Sequence, residues 1–236
     1  MELIFFVIIL ISIIQSIFGV GVLLFGTPIL LILDYKFIEA LNILLPISVA
    51  INFLQIINGH KKINFNYYKQ LLIFSIPPII ILLWITVEVN INSEFFIGLF
   101  LLFISLKSFF ASISKLITSM FRFQKTFLVF QGIIHGATNL GGSLLTSNIF
   151  ALNLGKDETR ATVSLSYLTF AIFQLVTLIF LGKFEQIRLD LIILGILIFF
   201  IFDLLVYKKI SNSNYDKIFA IFLFLSGLTL VFKGVI

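Results

Sequence analysis

Long apolar blocks bounded by charge dominate this chain. A helix needs about 20 residues to cross a hydrocarbon core about 30 Å thick. Eight blocks of that order run approximately over residues 3–33, 38–58, 70–88, 95–114, 126–154, 161–181, 189–207 and 216–235. Polar links such as His60-Lys61-Lys62 and Lys208-Lys209 separate them, and no stretch is left over for a soluble domain. The pattern predicts an all-α polytopic membrane protein of about eight segments, forming one integral membrane domain.

Blocks one and five break the pattern. From Leu3 to Leu33 there are 31 residues without a charge, and a straight helix of that length would reach about 46 Å. Gly19, Gly21, Gly26 and Pro28 sit in its second half, where they weaken a helix and permit a break. The block from Thr126 to Gly155 carries Gly132, Gly136, Gly141 and Gly142 at the corresponding place. Sliding the chain against itself by 121 residues superposes Gly21 on Gly142, Ala40 on Ala161, Ala50 on Ala171 and Lys62 on Lys183. These matches predict a duplication into two four-segment repeats, residues 1–121 and 122–236, each beginning with a broken segment.

Composition agrees with a lipid-facing chain. Hydrophobic residues make up 60% and charged residues 11%, against about 45–50% and about 25% in a soluble domain. The absence of Cys removes disulfides, thiolate catalysis and cysteine metal sites. The start, Met1-Glu2-Leu3-Ile4-Phe5, lacks the basic region of a signal peptide and reads as a retained membrane segment. Lys and Arg (16) exceed Asp and Glu (11), a surplus that sets orientation in a membrane and offers no basic tract for nucleic acid. If all eight blocks cross, ten basic residues share the side of the termini, which are then cytoplasmic, and six lie opposite. If blocks one and five dip in and return, the split is 12 against 4, the N-terminus is outside and the halves are inverted. The matched Lys62 and Lys183 tip the expectation towards full crossing, with both halves oriented alike.

A broken helix inside a membrane exposes backbone groups that lipid cannot satisfy, so it survives only against protein or a water-filled cavity. The half-helix N-termini created there carry partial positive charge and suit an anion. The candidate substrate-binding residues are therefore Gly19, Gly21, Gly26, Thr27, Asn42, Asn139, Gly141, Gly142, Ser143 and Asn148, in a neighbourhood that also holds Gln15, Asn52, Gln55, Gln131, Ser164 and Gln174. Scattered Ser and Thr also serve helix packing, as does Gly132-x-x-x-Gly136. His135 is the candidate for a coupling proton; the competing reading is a neutral ring bonded to a backbone carbonyl of the broken helix. Lys107 and Asp203 lie near span ends and read as structural, snorkelling or pairing with a link such as Lys208. Glu39 and Asp157-Glu158 read as caps of helix N-termini, with gating by Glu39 or Arg160 a minority reading. No hydrolase, metalloprotease or phosphate-loop motif occurs. His60 and His135 sit in unrelated positions, so no enzyme activity, metal or cofactor is expected.

The run Phe18-Gly19-Val20-Gly21-Val22-Leu23-Leu24-Phe25-Gly26-Thr27-Pro28, then Ala40, and the run Gly132-Ile-Ile-His-Gly136-Ala-Thr-Asn139-Leu-Gly141-Gly142, then Ala161-Thr162, carry a resemblance. With the Lys62-Ile63 and Lys183-Phe184 links, the chain resembles the TauE/SafE sulfite exporter family, also known as the toluene-sulfonate uptake permease family, over essentially its whole length. Val20 and Val22 interrupt what is usually a glycine run, and Ser147-Asn148 stand where a proline is usual. The resemblance implies a bacterial-type inner membrane carrier moving sulfite, sulfonates or other small organic anions, outward and driven by the proton gradient. Its expected partners are a small anionic solute and the lipid bilayer, not nucleic acid, with a homo-oligomer left open. A second reading is a non-transporting membrane partner that assembles or stabilises another complex.

Overall fold

In a computed structural model of the chain, the described residues are 2–18, 20–89, 93–152 and 154–205. The eighth predicted block, 216–235, lies outside them, as do Gly19 and the side chain of Lys107. The elements are α1 (Glu2–Phe18), α2 (Val22–Ile32), α3 (Phe37–Gly59), α4 (Phe65–Phe74), α5 (Ile76–Glu88), α6 (Ser93–Phe109), α7 (Ala111–Met120), α8 (Gln124–Thr138), α9 (Gly142–Ala151), α10 (Lys156–Phe180) and α11 (Leu189–Leu205), with no strand among the described residues. Among the described residues three stretches, Phe37–Ile57, Phe65–Glu88 and Asp157–Phe180, are long and apolar enough to cross a membrane.

Local chemistry sets the boundaries. The Lys36 backbone N–H donates to the Glu39 carboxylate at 3.1 Å, so Glu39 caps α3 as expected. Asn64 caps α4 by accepting from the Tyr67 N–H at 3.1 Å, which starts this span at residue 65 rather than 70. Pro77 and Pro78 lock φ and lack donors, so the helix steps at Ser75 and restarts as α5. Block four ends at Phe109, and α7 is a separate amphipathic helix with Ile117 buried and Lys115 exposed.

Both broken blocks double back. A Cβ built on Gly21 would lie 2.6 Å from the Gln15 nitrogen and 3.0 Å from the Ile11 oxygen, so α2 returns along α1. A Cβ on Gly141 would lie 2.7 Å from the His135 nitrogen and 2.5 Å from the Gln131 oxygen, so α9 returns along α8 in the same way. Each glycine packs on the residues six and ten positions before it. Gly141, not Gly142, therefore holds the place of Gly21, and the offset between the breaks is 120 rather than 121.

The central pair α3 and α10 runs antiparallel, contrary to the expectation of like-oriented halves. Gly59 at the end of α3 meets Ala161 at the start of α10. Asn42 near the start of α3 meets the chain just past the end of α10, donating to the Lys183 carbonyl at 3.0 Å and accepting from the Glu185 N–H at 3.2 Å. At the opposite end Thr162 accepts from the Asn64 N–H at 2.9 Å, a near mirror of the Asn42 clamp. Full crossing of blocks one and five would have made the two helices parallel; the hairpin at each break removes one crossing and inverts them.

Around that pair the first helix of each half packs on the other half: α1 on α11, and α8 on α5. Gly132 and Gly136 make the second contact close, since a Cβ on either would lie 2.5 Å from the Ser75 or Ile79 carbonyl oxygen. The small-residue pattern thus acts in packing, as read from the sequence. Beside an apolar core, the chain buries many polar side chains and exposes many large apolar ones. Gln15, Ser48, Asn52, Gln131, Asn139, Ser164 and Gln174 are buried, while Ile81, Trp84, Ile193, Leu197 and Leu204 are exposed. Only an apolar solvent makes that arrangement favourable.

Candidate anion site at the helix breaks

The first break is held by one side chain. Gln15 Oε1 accepts from the Val22 N–H at 3.1 Å, satisfying a donor that the N-terminus of α2 leaves open. Its Nε2 donates to Asn52 Oδ1 at 3.2 Å and Gln55 Oε1 at 3.1 Å, both on α3. Ser164 on α10 also donates to Gln55 Oε1, at 3.1 Å. Asn52 is oriented by Ser48, whose carbonyl and hydroxyl oxygens accept from its Nδ2.

His135 occupies the place of Gln15 at the second break. Its ring lies 4.6 Å from Phe170 and 6.4 Å from Tyr167, centroid to centroid. Gln174 lies beside it outside ordinary hydrogen-bond geometry, and neither ring nitrogen has a partner, so the backbone-carbonyl bond does not form. Gln131 donates to the Gly141 carbonyl at 3.3 Å. Gly142 leaves room for the Tyr167 phenol, which fills the position a Cβ would take.

The two breaks are not one site. Gln55 lies in the last third of α3 and Gln174 in the last third of α10, and because these helices are antiparallel the breaks face opposite ends of the pair. They communicate through Asn139, whose Nδ2 donates to Thr27 of α2 at 2.8 Å. Asn139 also ends α8 in the left-handed region, φ 61°, which asparagine tolerates better than most residues. Asn139→Ala should cost about 1–2 kcal/mol from the left-handed backbone alone, with the buried bond to Thr27 lost in addition. Asn139→Gly should lose only the bond. Thermal unfolding of the two purified variants in detergent checks the order, alanine below glycine below wild type.

Of the other predicted site residues, Gly26 serves helix packing against Leu44 and Ile11. Asn42 is occupied at both ends by the 183–185 link. Ser143 bonds back to the Leu140 carbonyl at 3.0 Å. Asn148 is buried with its Oδ1 unpartnered.

A cavity of about 200 Å³ opens between α3, α10 and α11 on the side of the first break. Gln55 and Ser164 line it, and Lys62, Asp157, Arg160 and Asp203 surround its mouth. Lys62 pairs with Asp157 at 2.5 Å. Arg160 pairs with Asp203 and donates to the Ser16 carbonyl at 3.4 Å, at the end of α1. Asp203 thus pairs with Arg160 of a distant helix; the link partner expected for it, Lys208, lies outside the described residues. Sequence reasoning gave Arg160 only a minority gating role and missed Tyr167 and the cavity. Its available signal was the coincidence of one cation and one anion near span ends, which says nothing about which pairs meet.

A chain with this apolar exterior and two hairpin breaks matches the family profile Sulfite exporter TauE/SafE over residues 4–230. The chain belongs to the TauE/SafE family. These are membrane transporters rather than enzymes, so the resemblance carried by the glycine runs holds over nearly the whole length. No curated protein and no solved structure matches the chain. Within the TauE/SafE frame the two glycine runs acquire a physical role: Gly21 and Gly141 let each hairpin close, and Gly142 admits Tyr167.

Proposed function

We propose that this protein is a secondary transporter of the plasma membrane that exports small anions such as sulfite, organosulfonates or related organic acids. In this reading residues 1–121 and 122–236 form two inverted repeats, and the anion passes near the paired breaks by alternating access. The antiparallel α3 and α10 and the exchanged packing of α1 and α8 support the inversion. Hairpin breaks also favour the charge count of 12 against 4, which puts Lys61, Lys62, Arg122, Lys125 and Arg160 on the cytoplasmic side. The cavity then faces the cytoplasm, as export requires.

One observation carries the reading. The cavity connects to the N-terminus of α2 through Gln55, Gln15 and the Val22 N–H, so polar groups lead from water to a helix break. Liposomes holding the purified protein should show saturable counterflow of labelled sulfite, in competition with sulfoacetate and acetate, and an imposed pH gradient should accelerate net efflux. His135→Gln should keep counterflow and lose the response to the gradient. Absence of flux of all three anions from folded protein, with stoichiometric capture of one partner, would instead establish the assembly-partner reading.

A further inference from the structure

We infer that the cavity between α3, α10 and α11 is itself the cytoplasmic binding site for the anion, with the Gln55 carboxamide as its floor and Arg160 as its cation. This rests on the transporter reading and names where its substrate first binds. Gln55 is 9% exposed and its Oε1 is already engaged by Gln15 and Ser164. Its Nε2 is buried without a partner, on a residue that lines the cavity. A buried N–H without an acceptor costs about 1–3 kcal/mol, and a ligand oxygen removes that cost.

The sign of the ligand follows from the same groups. Two carboxylates at the mouth would attract a cation, but Lys62 and Arg160 neutralise both. The unfilled group at the floor is a donor, and a donor takes an acceptor. An oxyanion of a few heavy atoms fits about 200 Å³ and offers several acceptor oxygens. One can accept from Gln55 Nε2 while another replaces Asp203 on the Arg160 guanidinium, exchanging one charge-assisted pair for another.

Gln55→Glu isolates the floor donor. Its carboxylate still accepts from Gln15 and Ser164 but replaces the N–H donors with negative charge. The prediction is a KM for sulfite counterflow, and a Kd for sulfite by titration calorimetry in detergent, each raised at least about tenfold, or about 1.4 kcal/mol. Size-exclusion profiles should match wild type. If Gln55→Glu does not assemble, Ser164→Ala replaces it, since it frees Gln55 to turn, and a two- to fivefold rise in both constants is expected. Wild-type flux with both constants unchanged in the variant used overturns the site and leaves the transporter reading standing. Sulfite binding that the variant weakens, in protein without flux, keeps the site and overturns the transporter reading. Neither binding nor flux in wild type overturns both.

Discussion

Valine at Gly21 should abolish sulfite counterflow and leave little assembled protein, whereas alanine at Gly155 should change neither. The Gly21 Cβ would sit 2.6 Å from the Gln15 nitrogen and 3.0 Å from the Ile11 oxygen, and both atoms are backbone. Backbone inside a helix cannot turn aside, so the hairpin must open. Overpacking of this kind costs about 1–3 kcal/mol and sometimes more. Opening also pulls the Val22 N–H from Gln15 and slackens the Gln15 bonds to Asn52 and Gln55. At Gly155 nothing lies within 4 Å of an added Cβ. Gly142 is the informative contrast, because its Cβ would strike a side chain, Tyr167, rather than backbone. Gly142→Ala should therefore be rescued in assembly by Tyr167→Ala, while no substitution at a second side chain rescues Gly21→Val. Fluorescence size-exclusion after a temperature ramp, alongside counterflow, reads both. Wild-type assembly and flux in Gly21→Val would show that the hairpin is not closely packed.

The helices were legible because their signal is local. Apolar length gave the helical blocks, three of which among the described residues are long and apolar enough to cross a membrane, and glycine density gave the positions of both breaks to within a few residues. The course of the chain after each break was not legible, since a glycine permits a kink and a reversal equally. The reversal depends on Gly21 and Gly141 meeting backbone six and ten residues earlier, a contact no local pattern records. Orientation failed for a related reason. Lys62 and Lys183 occupy matching positions, which duplication explains regardless of the side on which each lies. The one-residue slip between offsets 120 and 121 arose because Gly141-Gly142 offers two partners for Gly21, and only packing separates them. Site residues divided likewise. Asn139 was legible as a polar residue at the break, but its left-handed backbone and its reach to Thr27 were not. Gln55 was visible among the polar residues of its half, while its bond to Ser164, which is 109 positions away, was not.

Arg160→Gln and Asp203→Asn should move anion affinity in opposite directions while both lower stability. Each variant breaks the same ion pair, whose side chains are only 18% and 29% exposed, so water screens it weakly. Arg160→Gln also weakens the hold on the Ser16 carbonyl at the end of α1. Loss of a hydrogen bond to a charged group costs about 1.5–3 kcal/mol, so a thermal midpoint below wild type is expected for both. If the pair is only a strut between α10 and α11, the KM for sulfite should follow stability and rise in both. If the guanidinium receives the anion, Arg160→Gln removes the cation and raises KM about 10- to 100-fold. Asp203→Asn removes the competing carboxylate, and KM should then fall even though the protein is less stable. kcat separates the two further: an anion that no longer has to displace Asp203 is held more tightly and leaves more slowly, so Asp203→Asn should lower kcat as it lowers KM. KM rising together in both variants would reduce the Arg160–Asp203 pair to a structural contact and remove the cation from the proposed site.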